Sequence, residues 1–591
     1  MTFIHILSLT ISFLVYEIYF FSSKGVDYPV YRKYVDYFIY NDIEMVNNHG
    51  LIYYYINSLV VYLRKDVLNS VNEIVFFSNT IQLANFLFYI IGIFGIYKLL
   101  VKYNYKKNHI LISLSLLHWV PKIIEMRVLL KPEIIGFAFL PWLILGIDDY
   151  FENNKILSLI ISLFPLSLLV TSKGSIAGMI LLFMVLKYIK NINVDNFKIL
   201  IILFVLFLII CIGVGFENFE ISNLSFFEVV TSDNYQNKAE ISFLTNINIY
   251  DLIFNPEIGY HNNSFIGITL LDTFGDYYKV NLGSEDNYFV YNKVNFFENS
   301  DGKSYIREFT GMLLTILFYF AIYYFQKRNK KIRIILLSPF IGMLILLMNS
   351  FGFPDLNFDP TKGDTMKPSY YSFFIALAFV FIICELLKNF EWSKKIFPIT
   401  LFVILLFTIG FPKSNYQEIN DNVDSKIQIS LFCNVLTQLN SDLSREDCSD
   451  EIKKSCEYNL FANEAQNISI EDTDSVPNGY TRVYRSDTIL GEIIPDEKLD
   501  EFINEGGYSL TPVFEKDELK YLNPSESLKI QKENSVLFTS DVEECINYYQ
   551  NGYRATNDVS LQLEKIPYVN LIYLFFTFYL IFKFSYLRKK T

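Results

Sequence analysis

Long apolar runs separated by polar connections dominate the pattern of this chain. A helix needs roughly 20 mostly apolar residues to cross a hydrocarbon core about 30 Å thick. About twelve runs approach that length, near residues 3–22, 77–100, 108–123, 132–148, 156–171, 175–189, 199–215, 309–326, 333–350, 369–387, 396–411 and 567–587. The pattern predicts an all-α, polytopic membrane bundle of about 12 transmembrane helices.

Lysines and arginines cluster in alternate connections between these runs, and such residues are retained on the cytoplasmic side of a membrane. If the N-terminus is inside, the clusters all lie on one side: 102–107, 187–198, 327–333, 388–395 and 588–590. Residues 1–22 lack a basic start and a small-residue cleavage site, which favours a retained first helix. We therefore expect a multi-pass protein of the cytoplasmic membrane with cytoplasmic N- and C-termini.

This topology places four segments outside the membrane: 23–76, 216–308, 351–368 and 412–566. We expect a transmembrane domain over 1–411 that carries the first three, and a last transmembrane helix with a basic cytoplasmic tail over 567–591. The 412–566 segment is polar, and its roughly 150 residues suffice for one small domain with its own core. It is predicted to be a soluble, extracytoplasmic α+β domain.

Composition and net charge limit the kinds of partner that the protein is expected to bind. Of the 591 residues, 52% are hydrophobic and 17% aromatic, which suits helices that face membrane lipid. The formal net charge of −12 is carried largely by the outward segments, which argues against a nucleic-acid partner.

Four of the six cysteines lie in the predicted soluble domain, where disulfides persist. We expect one or two bridges among Cys433, Cys448, Cys456 and Cys545. The chain has no CxxC pair and only five scattered histidines, so it carries no zinc signature. It also has no P-loop and no dinucleotide fingerprint.

The first outward segment opens with an acidic residue directly after the first apolar run. This position places Asp27 at the membrane surface, with Tyr28, Tyr31 and Tyr34 as interfacial anchors. A carboxylate held there can take a proton from a sugar hydroxyl. The alternative is an ordinary loop acid. Asp36 follows on a predicted amphipathic helix over 30–48 and is a secondary candidate.

Cations lie between apolar runs at three further places. Arg127 and Lys131 are four residues apart, so a helical turn would place both on one face, before a helix started by Pro132. Lys173 separates two short runs, and an ionisable residue at membrane depth is a functional candidate. Lys367, on the predicted outward side, needs an anionic partner such as a lipid phosphate. For all four cations the alternative is snorkelling to ordinary headgroups.

Acidic residues recur in the second outward segment. Asp272 and Asp276 would face one cavity if helical, and would join Asp27 in an acidic cluster. Hard cations prefer carboxylate ligands, so a divalent metal is possible there, although capping or hydrogen-bonding roles are more common for such residues.

Together these features resemble the GT-C glycosyltransferases: a long membrane bundle, an acid after the first helix, amphipathic outward helices and a soluble outward domain. The 125–133 stretch, Glu-Met-Arg-Val-Leu-Leu-Lys-Pro-Glu, resembles that family's Arg-x-x-(Arg/Lys)-Pro-(Asp/Glu) motif. The Thr365-Met-Lys-Pro-Ser-Tyr-Tyr371 stretch is similar to the Thr-Lys-Pro/Trp-(Thr/Ser)-His-His segment of the mycobacterial-type arabinosyltransferases. Tyrosines replace the two histidines here, which leaves the donor sugar open.

The resemblance implies an inverting enzyme that moves a hexosyl or pentosyl group from a polyprenyl-phosphate donor to an extracytoplasmic glycan, lipid or protein. It implies Asp27 as general base and no required organic cofactor, because a lipid phosphate is already a good leaving group. The expected phosphate-binding residues are Arg127, Lys131, Lys173 and Lys367, and the secondary candidates are Asp36, Glu133, Asp272 and Asp276. A lipid-linked sugar transporter or flippase is the alternative, for which internal repeat symmetry would be expected. A sensor or assembly protein is a third interpretation.

Overall fold

The computed structural model describes most of the apolar runs and smaller parts of the outward segments. The described residues are 2–19, 28–39, 52–65, 73–191, 199, 201–207, 242–254, 264–275, 305–350, 367–389, 396–409, 480–485, 492–495, 507–509, 513–515, 518–520, 561 and 568–586.

Outside the short strands of 480–520, the described elements are helices. They are α1 (Thr2–Phe13), continued by a π-helical turn (Leu14–Tyr19), α2 (Tyr28–Ile39), α3 (Ile52–Leu63), α4 (Glu73–Lys102), α5 (Lys107–Leu117), α6 (Pro121–Val128), α7 (Glu133–Asn153), α8 (Ile156–Ser172), α9 (Gly174–Tyr188) with a 3₁₀ turn (Ile189–Asn191), α10 (Ser242–Thr245), α11 (Ile249–Phe254), α12 (Phe265–Asp272), α13 (Tyr305–Arg328), α14 (Arg333–Leu336), α15 (Ser338–Ser350), a 3₁₀ turn (Pro368–Tyr371), α16 (Ser372–Asn389), α17 (Ile396–Ile409) and α18 (Tyr568–Tyr586). Residues 201–207 are also helical.

Four of the described helices are long and apolar enough to cross a membrane. They span Thr80–Lys102, Glu133–Asn153, Glu308–Arg328 and Pro368–Asn389, and several shorter apolar helices accompany them. A chain with four such helices is suggested to be a multi-pass membrane protein. Its orientation in the membrane stays a prediction.

The described parts of the apolar runs are helical, with differences in detail, and the run predicted over 333–350 is divided into α14 and α15. The run predicted over 108–123 is not one helix: α5 ends at Leu117 and α6 begins at Pro121, since proline has no N–H to continue the preceding helix. The amphipathic helix predicted over 30–48 is described from Tyr28 to Ile39, and the rest of that range lies outside the described residues.

A second helix break follows α6, and it separates Arg127 from Lys131. The helix ends at Val128, because the backbone of Leu129 is extended. Pro132 also disfavours helical backbone at Lys131, the residue before it. Pro132 then caps α7, which begins at Glu133. Arg127 therefore lies on α6 and Lys131 lies in the break, so the two do not share one helical face as predicted.

Helix α7 lies at the centre of the bundle. Its residues from Glu133 to Tyr150 are all buried, and it packs against α4, α8 and α16. The contact with α4 depends on a glycine: a Cβ atom at Gly92 would lie 2.3 Å from the ring of Phe137. Such close packing leaves little freedom at the start of α7, where the candidate site lies.

Within the predicted soluble domain the structure describes five short strands. They are β1 (Tyr480–Arg485), β2 (Glu492–Pro495), β3 (Gly507–Ser509), β4 (Val513–Glu515) and β5 (Glu518–Lys520). Strand β1 pairs antiparallel with β2 and β3, and β4 pairs antiparallel with β5. The α+β domain over 412–566 stays a prediction, and Cys433, Cys448, Cys456 and Cys545 lie outside the described residues.

Candidate functional site

Helix α6 is a short, fully buried helix that carries three charged side chains. All eight residues of Pro121–Val128 are buried, including Lys122, Glu125 and Arg127. Burying a charge is costly unless the charge is paired. The pairing of these three side chains therefore decides which of them can act on a ligand.

Arg127 is paired with Glu17 in the π-helical turn after α1. Its Nε donates to Oε1 at 2.6 Å and its Nη2 donates to Oε2 at 2.5 Å. Nη1 donates to the Ser12 hydroxyl at 2.8 Å, and the guanidinium lies 4.7 Å from the ring centroid of Tyr89. Both partners of this bidentate pair are fully buried. The arrangement gives Arg127 a structural role, and the phosphate-binding role expected for it gains no support.

Lys122 ties α6 to the second outward segment. Its Nζ donates to Oε2 of Glu125 at 2.6 Å and lies 2.8 Å from Oδ1 of Asp272, the last residue of α12. The contact with Glu125 is both an ion pair and a hydrogen bond, whereas the contact with Asp272 is an ion pair without hydrogen-bond geometry. Asp272 thus packs against a cation of the bundle. Asp276 lies outside the described residues.

The break between α6 and α7 is held by hydrogen bonds from two neighbouring helices. The Asn85 side chain in α4 donates to the carbonyl oxygen of Leu129 at 2.6 Å. The Tyr53 hydroxyl in α3 donates in turn to the Asn85 side chain at 2.8 Å. A buried carbonyl freed by a helix break needs such a donor, and this one fixes the position of the segment that carries Lys131.

Two lysines from separate segments converge on one tyrosine ring. The Nζ of Lys131 lies 5.1 Å from the ring centroid of Tyr370, and the Nζ of Lys173 lies 4.4 Å from it. Both distances are within the range of cation–π attraction. Tyr370 belongs to the 3₁₀ turn that follows Lys367, whose carbonyl accepts the Tyr370 N–H at 3.0 Å. We call Lys131, Glu133, Lys173 and Tyr370 the lysine site.

Glu133 is the acidic member of the lysine site. Its Oε1 accepts a hydrogen bond from Lys173 at 2.7 Å, and the residue is almost fully buried. It is also the first residue of α7, where the free N–H groups of a helix favour a carboxylate. The site thus joins the starts of α7 and α9 to the 3₁₀ turn before α16.

A group of tyrosines from the first outward segment adjoins the lysine site. Tyr54 in α3 stacks on Tyr34 of α2 with ring centroids 4.6 Å apart, and it is within electrostatic range of Glu133. Helix α2 begins at Tyr28, so Asp27 immediately precedes the helix that carries this stack. Asp27 itself and the side chain of Asp36 lie outside the described residues.

The other end of α7 carries a different, more evenly balanced polar network. Asp148 accepts hydrogen bonds from Lys187 at 2.9 Å and from the Tyr188 hydroxyl at 2.6 Å. Nearby, burial and the carboxylate of Glu385, which accepts the Tyr105 hydroxyl at 2.6 Å, raise the pKa of Tyr105 above its usual range. These contacts join helix ends and connections on the side predicted to be cytoplasmic, and we assign them a structural role.

The part of the chain that the structure describes contains no group of side chains suited to hold a metal ion. Among those residues, no three His, Cys, Asp or Glu side chains are grouped so that they hold an ion. The possible divalent metal therefore stays an untested expectation.

Sequence reasoning identified Lys131, Lys173 and Glu133 but missed the residues that organise them. Tyr370 was noted only as a replacement for histidine, and Asn85 and Tyr53 carried no local signal at all. Comparison of the chain with protein-family models, with curated proteins and with solved structures gives no match.

Proposed function

We propose that this protein is a membrane glycosyltransferase of GT-C type that moves a sugar from a polyprenyl-phosphate donor to an extracytoplasmic acceptor. One observation carries the proposal. Three segments chosen from the sequence for a lipid phosphate, at Lys131, at Lys173 and at Lys367–Tyr371, meet around the ring of Tyr370.

The charges of the lysine site suit an anionic lipid head group. Lysine ammonium groups are strongly hydrated point charges, and two of them lie near one ring at the ends of membrane helices, which makes this place favourable for an anion. Within the site, Glu133 accepts a hydrogen bond from Lys173 only. A phosphate oxygen within reach of both ammonium groups would supply further negative charge to the same place.

The reaction assigned to this site is a single displacement. The acceptor hydroxyl gives its proton to a carboxylate, for which Asp27 is the candidate, and its oxygen attacks the anomeric carbon. The bond from that carbon to the phosphate oxygen breaks, and the electron pair leaves with the lipid phosphate. Lys131 and Lys173, with Lys367, stabilise the charge that develops on the phosphate as it departs.

The aromatic ring of the site suits the sugar. Tyr370, which lies beside both lysines, is only partly buried, and an aromatic face packs against the C–H face of a sugar ring through ordinary dispersion contacts. The arrangement supports a phosphate and a sugar side by side. Lipid transport across the bilayer uses the same phosphate contacts and is the competing outcome of the test below.

The test compares two lysine variants in proteoliposomes that contain a labelled polyprenyl-phosphate sugar. Lys173→Met removes an ammonium group from the lysine site. Lys155→Met is the control: Lys155 directly precedes α8, whose other end Lys173 follows, and its side chain is 52% exposed. We expect Lys173→Met to raise the KM for the donor at least about tenfold, the effect of roughly 1.4 kcal/mol of lost interaction. Lys155→Met should match the wild type.

Two results would refute the proposal. If the wild type moved lipid across the bilayer without transferring sugar, the protein would be a transporter. If both lysine variants transferred sugar at the wild-type rate and KM, the lysine site would not bind the donor.

A further inference from the structure

Glu133 is an unusual component of a site that binds an anion. Its carboxylate is almost fully buried and accepts a hydrogen bond from Lys173 through Oε1. Its other oxygen, Oε2, is buried and accepts no hydrogen bond from any described residue. The negative charge on that oxygen is therefore not dispersed by a donor, and it acts on whatever else enters the site.

The position of this charge affects anions according to their own charge. Each negative charge of a ligand is attracted by the ammonium groups of Lys131 and Lys173 and repelled by the carboxylate of Glu133. A ligand with a second phosphate group brings a second negative charge into the same low-dielectric region. Because Lys173 is already paired with Glu133, the second charge finds less cationic compensation than the first.

We propose that Glu133 is a specificity-determining residue that makes the lysine site select lipids with one phosphate group over lipids with a diphosphate. This inference rests on the proposed function, because it assumes that the lysine site binds the lipid head group. It adds to the proposed function the residue that discriminates a single-phosphate donor from a diphosphate. It assigns Glu133 to ligand selection and not to proton transfer.

The test measures binding of two synthetic probes to the purified full chain in lipid nanodiscs. Methyl farnesyl phosphate carries one negative charge at neutral pH, and methyl farnesyl diphosphate carries two. The wild type should bind the first more tightly. Glu133→Gln removes the carboxylate charge while keeping its shape, so it should lower the ratio of the diphosphate Kd to the phosphate Kd at least about tenfold.

Two further variants control this measurement. Glu152→Gln makes the same chemical change near the other end of α7, roughly 30 Å away along the helix, where the side chain is 52% exposed and pairs with Lys102. It should leave the ratio unchanged. Lys173→Met removes a positive charge from the site, so it should move the ratio in the opposite direction, and it tests the inference if Glu133→Gln does not fold.

The possible outcomes are distinct. A lower ratio in Glu133→Gln, or a higher ratio in Lys173→Met if only that variant folds, would support the assignment. An unchanged ratio, or equal loss of both probes, would overturn Glu133 as the selecting residue while leaving a lipid-binding site. If the wild type bound neither probe, the assumption that the lysine site binds a lipid head group would fail first.

Discussion

Removal of the Glu17 carboxylate should destabilise the bundle far more than removal of a surface carboxylate. Glu17→Gln leaves the Arg127 guanidinium buried without its counter-charge. The remaining contacts of Arg127 include the Ser12 hydroxyl at 2.8 Å, the His118 carbonyl at 3.3 Å, and the rings of Tyr89 at 4.7 Å and Phe86 at 5.6 Å. None of these carries a formal negative charge, so they only partly replace the lost partner.

The size of the effect follows from burial. Breaking a buried ion pair by removing one partner typically costs about 3–5 kcal/mol. Both partners here are fully buried, and two hydrogen bonds of the pair, at 2.6 and 2.5 Å, lose their charged acceptor. Glutamine keeps one oxygen that accepts from Arg127, so we expect a loss near the lower end, about 3 kcal/mol.

The free energy of unfolding is measured by denaturant titration in mixed micelles. Glu152→Gln is the matched control, because it makes the same change in an exposed pair with Lys102 at 3.1 Å, and such pairs contribute about 0–1 kcal/mol. A double-mutant cycle with Arg127→Met isolates the pair and should give a coupling energy of about 2 kcal/mol. Equal, small losses in Glu17→Gln and Glu152→Gln would refute the reasoning that Arg127 serves the fold.

Three further predictions concern catalysis, topology and disulfides. Asp27→Asn should insert and bind donor normally but transfer sugar at least about 10²-fold more slowly, the smaller effect typical of losing a general base; wild-type transfer rates would exclude Asp27. An engineered cysteine in 412–566 should react with an impermeant thiol reagent in intact cells after native thiols are blocked, and protection would reverse the orientation. Mass spectrometry without reduction should recover at least one disulfide among Cys433, Cys448, Cys456 and Cys545, and recovery of all four as free thiols would contradict this prediction.

The helices of the membrane part could be predicted because their signal is local. An apolar run of sufficient length needs no knowledge of its neighbours to be recognised, and α4, α8 and α16 lie within a few residues of the predicted runs. The break at Pro121 was local as well, but apolar residues on both sides concealed it. Hydropathy alone does not separate one helix from two shorter ones.

The partners of the charged residues could not be predicted because they are distant in sequence. Arg127 and Glu17 are 110 residues apart, and Lys173 and Glu133 are 40 residues apart. The sequence marks each of these lysines and arginines as costly in a membrane and therefore as a candidate. Only packing shows that Arg127 forms a bidentate pair with a fully buried glutamate, whereas Lys131 and Lys173 lie beside one partly buried tyrosine ring.

The most direct measurement is the position of the lipid phosphate itself. Electron cryomicroscopy of the full chain in nanodiscs with a polyprenyl phosphate should show the phosphate within about 4 Å of the Nζ atoms of Lys131 and Lys173, the distance of an ion pair. Phosphate density elsewhere in the protein, with the lysine site empty, would contradict the account.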